Sequence, residues 1–211
     1  LKDNFNFSYD VVDELARLQP DKTAILWVNE AGEEHRFTYR DLKEQSSRVA
    51  NMMLAHGVKK GDFVMAVLKR HYEFWFLAYG LMKIGAILVP ATNQLMKKDY
   101  TYRFKAADIK YIVATAENNV PDHIEQALEE YDGMKEKFIT HGSREGWTDF
   151  LPEIAKYSPE FERVETHVDE PMLMYFSSGT TGYPKMVLHR YSIAAAHIIT
   201  GKHWHHLDEN S

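Results

Sequence analysis

Nine consecutive positions, Ser177-Ser178-Gly179-Thr180-Thr181-Gly182-Tyr183-Pro184-Lys185, hold four Ser or Thr hydroxyls, two glycines and a terminal lysine. They follow the apolar run Met172–Phe176, which reads as a strand, so the loop leaves a strand end. This composition suits a polyphosphate. Glycines accept positive φ and let the backbone approach closely, successive N–H groups form an anion-binding nest, hydroxyls add donors, and Lys185 supplies a mobile point charge. The ordinary alternative is a surface turn rich in Ser, Thr and Gly. Hydroxyl density and the closing lysine argue against it.

The loop is not a Walker A element. That motif needs G-x-x-x-x-G-K-[ST] opening a helix, whereas two residues separate Gly182 from Lys185, and Pro184, Met186 and Val187 favour extended chain. The expected unit is strand, loop, strand. Gly80 and Gly85 have the Walker spacing but run into Ala86, and read as close packing at the end of a buried helix. No G-x-G-x-x-G fingerprint for a dinucleotide is present, and no G-x-S-x-G nucleophile elbow.

Other reactive side chains take plainer readings. His197, His203, His205 and His206 gather near the carboxyl end, but helical spacing does not bring them to one face and no H-E-x-x-H joins them. They read as a helix-end cluster, and no metal site is read from the sequence. Phe74, Trp75, Phe76, Tyr79 and Met82 recur at helical spacing and read as core before pocket. Glu125, Glu129 and Glu130 read as a solvated acidic face.

The elements that must carry the loop alternate. Tyr9–Leu18 has helical apolar spacing, Thr23–Val28 and His35–Tyr39 form a hairpin, and Thr38 with Asp41 caps a long helix that stops at Gly57. Strands are then expected at 63–68, 86–89, 111–114 and 137–140, with helices at 72–84, 97–107 and 121–131 between them. Strands apolar throughout and separated by helices imply a parallel sheet covered on both faces. The class is α/β, doubly wound. A short helix over 147–157 and a polar connector, Ser158–Glu170, precede the loop strand, so 1–170 reads as one α/β subdomain and 171–211 as the start of a second.

The 211 residues carry 25 Lys plus Arg against 31 Asp plus Glu, a net charge of −6, which disfavours nucleic acid as a partner. The absence of cysteine excludes disulfides, thiolate nucleophiles and Cys-ligated zinc. The one stretch resembling a membrane span, Phe74–Ala91, is broken by Gly80, Lys83, Gly85 and Pro90. With no basic flank or apolar segment at Leu1–Asp10, the expected location is the cytoplasm.

Tyr175–Val187, YFSSGTTGYPKMV, resembles the phosphate-binding signature of the adenylate-forming superfamily of acyl-CoA synthetases, luciferases and peptide-synthetase adenylation domains. FTYRDL (Phe37–Leu42) and LMKIGAILVPAT (Leu81–Thr92) are similar to two further signatures of that family, in the same order. Pro90–Arg103, Gly146–Glu153 and Pro184–His189 look most like the medium-chain acyl-CoA synthetases, and Met186 departs from the Gly common after the lysine.

The resemblance implies an acid–thiol ligase that joins a small carboxylic acid to coenzyme A through acyl-AMP, using ATP and Mg²⁺. It implies phosphate binding by residues 177–185, with Lys185, Thr180 and Thr181 in catalytic roles, and a CoA contact at Gln94. The family's adenine, ribose and hinge motifs and its catalytic carboxy-terminal lysine are not found here, so the segment alone is expected to be inactive. The acid and the oligomeric state are not legible. The rival reading is a non-enzymatic polyphosphate-binding module that keeps only the loop.

Overall fold

A computed structural model describes residues 1–177 and 182–206. The chain opens with a helical stretch whose first turns, Ser8–Asp13, are π-helical before α1 (Glu14–Leu18). The expected hairpin follows as antiparallel β1 (Thr23–Val28) and β2 (Glu34–Thr38). Thr38 then starts α2 (Tyr39–Ala55) with a reciprocal cap: its hydroxyl accepts from the Asp41 N–H, and the Asp41 carboxylate accepts from the Thr38 N–H. Two donors that would otherwise lack partners at the helix start are satisfied. Gly57, at φ 85°, closes the helix in the left-handed region.

From there strand and helix alternate through β3 (Phe63–Val67), α3 (Glu73–Ile84), β4 (Ile87–Pro90), α4 (Lys97–Ala107), β5 (Tyr111–Thr115), α5 (Val120–Leu128) and β6 (Glu136–Thr140). A two-residue β7 (Thr148–Asp149) and a short α6 (Phe150–Ile154) occupy the segment expected to be wholly helical. Ser158–Glu170 has no regular structure, yet it is fastened to the first helix. Arg163 forms a forked pair with Asp10, and Tyr9 Oη accepts from the Val164 N–H. The chain continues into β8 (Pro171–Ser177), β9 (Lys185–Arg190) and α7 (Ile193–His203).

Seven strands form one sheet in the order β7-β6-β5-β3-β4-β8-β9, parallel except for β9. Residues alternate between two cores. Val64, Ala66, Tyr111 and Val113 face α2, α3 and α6, while Met65, Val67, Ile112 and Ala114 face α4 and α5. Burial on both faces is why these strands read as unbroken apolar runs.

Gly80 lets α2 and α3 close on each other, since a Cβ there would lie 2.5 Å from Val49 Cγ1 and 2.9 Å from the Ser46 carbonyl oxygen. Among the ring side chains assigned to the core, Phe76 is buried, but Trp75 is 43% exposed because α3 turns that position outward. Among the described residues, no helix is long and apolar enough to cross a membrane.

The topology fixes where ligands can reach. After β3 the chain turns to a helix on one face, and after the adjacent β5 to a helix on the other. Such divergence opens a crevice at the carboxyl ends of the strands. β8 runs parallel to β4, so its loop leaves from that same edge. One residue pair, Leu88 with Leu173, registers β8 on β4, whereas β5 and β6 share five pairs.

Candidate functional site

β8 and β9 form an antiparallel hairpin in which Ser177 stands opposite Lys185. The Ser177 hydroxyl points across at the Lys185 carbonyl oxygen, 3.4 Å away. The element is therefore the expected strand, loop and strand. Ser178, Gly179, Thr180 and Thr181 lie outside the described residues. Gly182 has φ 124°, a conformation side chains rarely adopt, and an added Cβ would meet nothing within 4 Å. The glycine is thus required by backbone conformation and not by crowding.

The stem of the loop is braced by α4. Tyr102 and Tyr183 stack with centroids 4.7 Å apart and an interplanar angle of 16°, and the Tyr102 hydroxyl donates to the Pro184 carbonyl at 2.9 Å. Arg103, one residue on, lies 5.1 Å over the Phe176 ring at the end of β8. Its half-buried position lowers the guanidinium pKa from its ordinary value, but the group stays cationic.

A cleft of about 680 Å³ runs between this stem and α4. Its rim is basic, with Lys97, Lys98, Arg103 and Lys105 on the helix side and Gly182, Tyr183 and Pro184 on the loop side. Lys97 is partly neutralised by Glu129 and Glu130. Lys185 is exposed at the start of β9. Gln94 is exposed in the turn between β4 and α4, where its N–H donates to the Thr92 hydroxyl at 3.3 Å. The described part of the site therefore unites Ser177, Gly182, Tyr183, Pro184 and Lys185 on one hairpin. Gln94 sits on a neighbouring loop of the same sheet edge.

Residues 12–210 match the family described as AMP-binding enzyme. The chain belongs to that family. Among its relatives, the mitochondrial acyl-coenzyme A synthetase ACSM1 of Mus musculus is 36% identical over 199 residues, which is 91% of this chain and 34% of the relative. The mitochondrial acyl-coenzyme A synthetase ACSM5 of Homo sapiens is 34% identical over 214 residues, 98% of this chain and 37% of the relative. The chain thus spans about a third of the length of the curated relatives it matches.

Among solved structures, two show the shared fold. The anthranilate CoA ligase AuaEII, in complex with anthranoyl-AMP, superposes with a TM-score of 0.85 at 22% identity, over 97% of this chain and 38% of that one. An acyl-CoA synthetase of Brucella canis gives 0.85 at 24% identity, over 98% and 37%. Within the family fold, the tyrosine brace was not anticipated from sequence. Tyr102 and Tyr183 are 81 positions apart, and only their aromatic character hinted at a role.

One plainer reading is corrected here. Glu129 and Glu130 stand exposed as expected, but Glu125 is not a free surface acid, because its carboxylate accepts from Lys137 and from the Trp147 indole, both at 2.6 Å. His197, His203, His205 and His206 stand exposed along and after α7.

Proposed function

We propose that the protein carrying this chain is an ATP-dependent, AMP-forming acyl-CoA synthetase of the medium-chain type, and that this segment supplies the pyrophosphate side of its active site. The observation that carries the reading is the hairpin that sets Ser177 against Lys185 at the carboxyl edge of a family-matched sheet.

In the first half-reaction a carboxylate oxygen attacks the α-phosphorus of ATP, the bond to the β-phosphate oxygen breaks, and pyrophosphate leaves. In the second, the CoA thiol displaces AMP from the acyl carbon. A carboxylate is a weak nucleophile, so the first step depends on positioning and on stabilising charge that grows on the leaving group. Hydroxyls and N–H groups from Ser177 to Thr181 hold the β- and γ-phosphates in this reading, with Thr180 and Thr181 assigned catalytic roles. Gly182, Tyr183 and Pro184 shape the return strand, and Lys185 neutralises the departing pyrophosphate.

Mg²⁺ travels with the triphosphate, and the hydroxyl oxygens of the loop belong to the hard donor class it takes. Gln94, on the adjacent loop, is assigned to coenzyme A. The connector 158–170 is assigned as the boundary between a first α/β subdomain, 1–170, and the opening of a second, 171–211. A chain without cysteine fits a reducing compartment such as the cytoplasm.

The test is Lys185→Ala in the complete ligase, read by exchange of labelled pyrophosphate into ATP. Loss of one positioned charge donor is expected to slow adenylate formation about 100-fold, or ~3 kcal/mol. An unchanged exchange rate removes Lys185 from the chemistry. A panel of acetate, medium-chain and aromatic acids then identifies the substrate.

A further inference from the structure

Away from the loop hairpin, the crevice at the ends of β3, β5 and β6 gathers a second set of chemically capable side chains. His71 follows β3, Glu73 opens α3, and His141 follows β6. One ligand atom from each lies within 4.8 Å of the others. We propose that His71, Glu73 and His141 form a binding site for one borderline divalent cation, Zn²⁺ or a close equivalent, unrelated to the Mg²⁺ that accompanies ATP.

Glu73 makes the strongest case. It is fully buried, and among the described residues the only basic side chain within 4 Å of it is His141, whose Nε2 lies 3.1 Å from Oε1. Oε1 also accepts from the Thr140 hydroxyl at 2.9 Å, while Oε2 is buried with no hydrogen-bond partner. A buried carboxylate oxygen without a donor is costly. A cation at that oxygen removes the cost, and one ligand atom from each imidazole lies within 4.8 Å of the carboxylate.

Outer partners are in place as well. His71 Nε2 lies 3.0 Å from the Thr115 hydroxyl, the kind of contact that fixes a ligating imidazole by its other nitrogen. Two imidazoles and one carboxylate form a donor set suited to zinc with a fourth position left to water. His71 and His141 also line a cleft of about 490 Å³ whose walls include Lys69, Arg70, Trp27 and Glu117, through which water would reach that position. Lys69 and Glu117 pair with each other at 3.0 Å, so their charges offset within the cleft.

Coordination demands one rearrangement. The rings of His71 and His141 stack with centroids 3.6 Å apart and planes 17° from parallel, so their in-plane lone pairs run side by side. The rings must turn until those lone pairs converge on the ion. His141, at φ 57° and partly exposed, is the ring with room to move.

The experiment strips the purified protein with chelator and titrates it with Co²⁺ as an optical probe, followed by Zn²⁺ in competition. One equivalent of Co²⁺ with ligand-field bands of low-coordinate geometry is expected, displaced by Zn²⁺. His141→Asn, a residue tolerated in the left-handed region, is expected to weaken binding by at least the roughly 10–100-fold that loss of an outer partner costs. Glu73→Gln tests the carboxylate, but its buried position also affects stability, so His141→Asn decides. Simultaneous replacement of His203, His205 and His206 by alanine should leave the affinity unchanged. Absence of Co²⁺ binding by the unaltered protein, undiminished binding by His141→Asn, or loss of binding in the triple variant would each overturn the proposal.

Discussion

Tyr102 on α4 lies flat against Tyr183 on the loop stem, 4.7 Å centroid to centroid, and its hydroxyl reaches the next carbonyl, that of Pro184. One side chain thus makes two contacts to the described stem of the loop, at Tyr183 and Pro184. Stacking contributes about 0.5–1.5 kcal/mol and a neutral hydrogen bond about as much. If the protein is the proposed ligase, Tyr102→Ala in its complete form is expected to raise the KM for ATP about tenfold, with kcat less affected. Tyr102→Phe keeps the stack and should lose threefold or less. Steady-state kinetics with ATP varied separate the two, and equal behaviour of both variants would show that the stack does not order the loop.

The isolated 211 residues should form no acyl-CoA, because they span about a third of their relatives' length. Incubation with ATP, CoA and a panel of acids, followed by detection of free thiol, checks this. Measurable thiol consumption would show that the segment holds a whole active site.

Asp10 gives the fold a defined acid sensitivity. Burial works to raise its pKa, but the forked hydrogen bond from Arg163 and the Asn6 N–H outweigh it, so the folded value lies below that of the unfolded chain. A depressed carboxyl contributes stability that is fully present above the unfolded pKa and is lost as pH falls through the folded one. Asp10→Asn is expected to cost about 1–2 kcal/mol at pH 7 after allowance for partial exposure. That deficit should shrink toward zero under acid, as urea titrations at several pH values would reveal. A deficit that is the same at all pH values would mean the carboxylate charge is irrelevant.

Gly80→Ala places a methyl group against the Val49 side chain and the Ser46 backbone. The gain in helix propensity is about 1 kcal/mol, and the cost of overpacking is about 1–3 kcal/mol or more when backbone must shift. Net destabilisation is expected, visible as a lower urea midpoint with unchanged slope. Stabilisation would mean that α2 and α3 separate more easily than their contacts suggest.

Much of the fold was legible because strands buried on both faces are apolar at every position. Thr23–Val28 and Lys97–Ala107 have the same ends in sequence and structure, and the Thr38–Asp41 cap was visible as a pair of residue types at fixed spacing. The π-helical start at Ser8–Asp13 was not, since one extra residue per turn leaves almost the same apolar pattern over so short a run. Nor was the two-residue β7, which exists through its pairing with β6 and not through its own composition.

The loop declared itself through local residue density. His71 and His141 did not, because 70 positions separate them and only the strand order brings their rings together. Glu125 was misread for the same reason, its partners Lys137 and Trp147 arriving from later elements.

The hairpin that carries the loop is registered on the rest of the sheet by one residue pair, Leu88 with Leu173, near the base of β8. Its tip, where Ser177 and Lys185 stand opposite each other, is held a second time, by the Tyr102 stack on Tyr183 and the hydrogen bond to the Pro184 carbonyl. The hairpin is thus fastened at both ends by different layers, its base to β4 and its tip to α4, so a tilt of the tip strains the helix layer as well as the sheet.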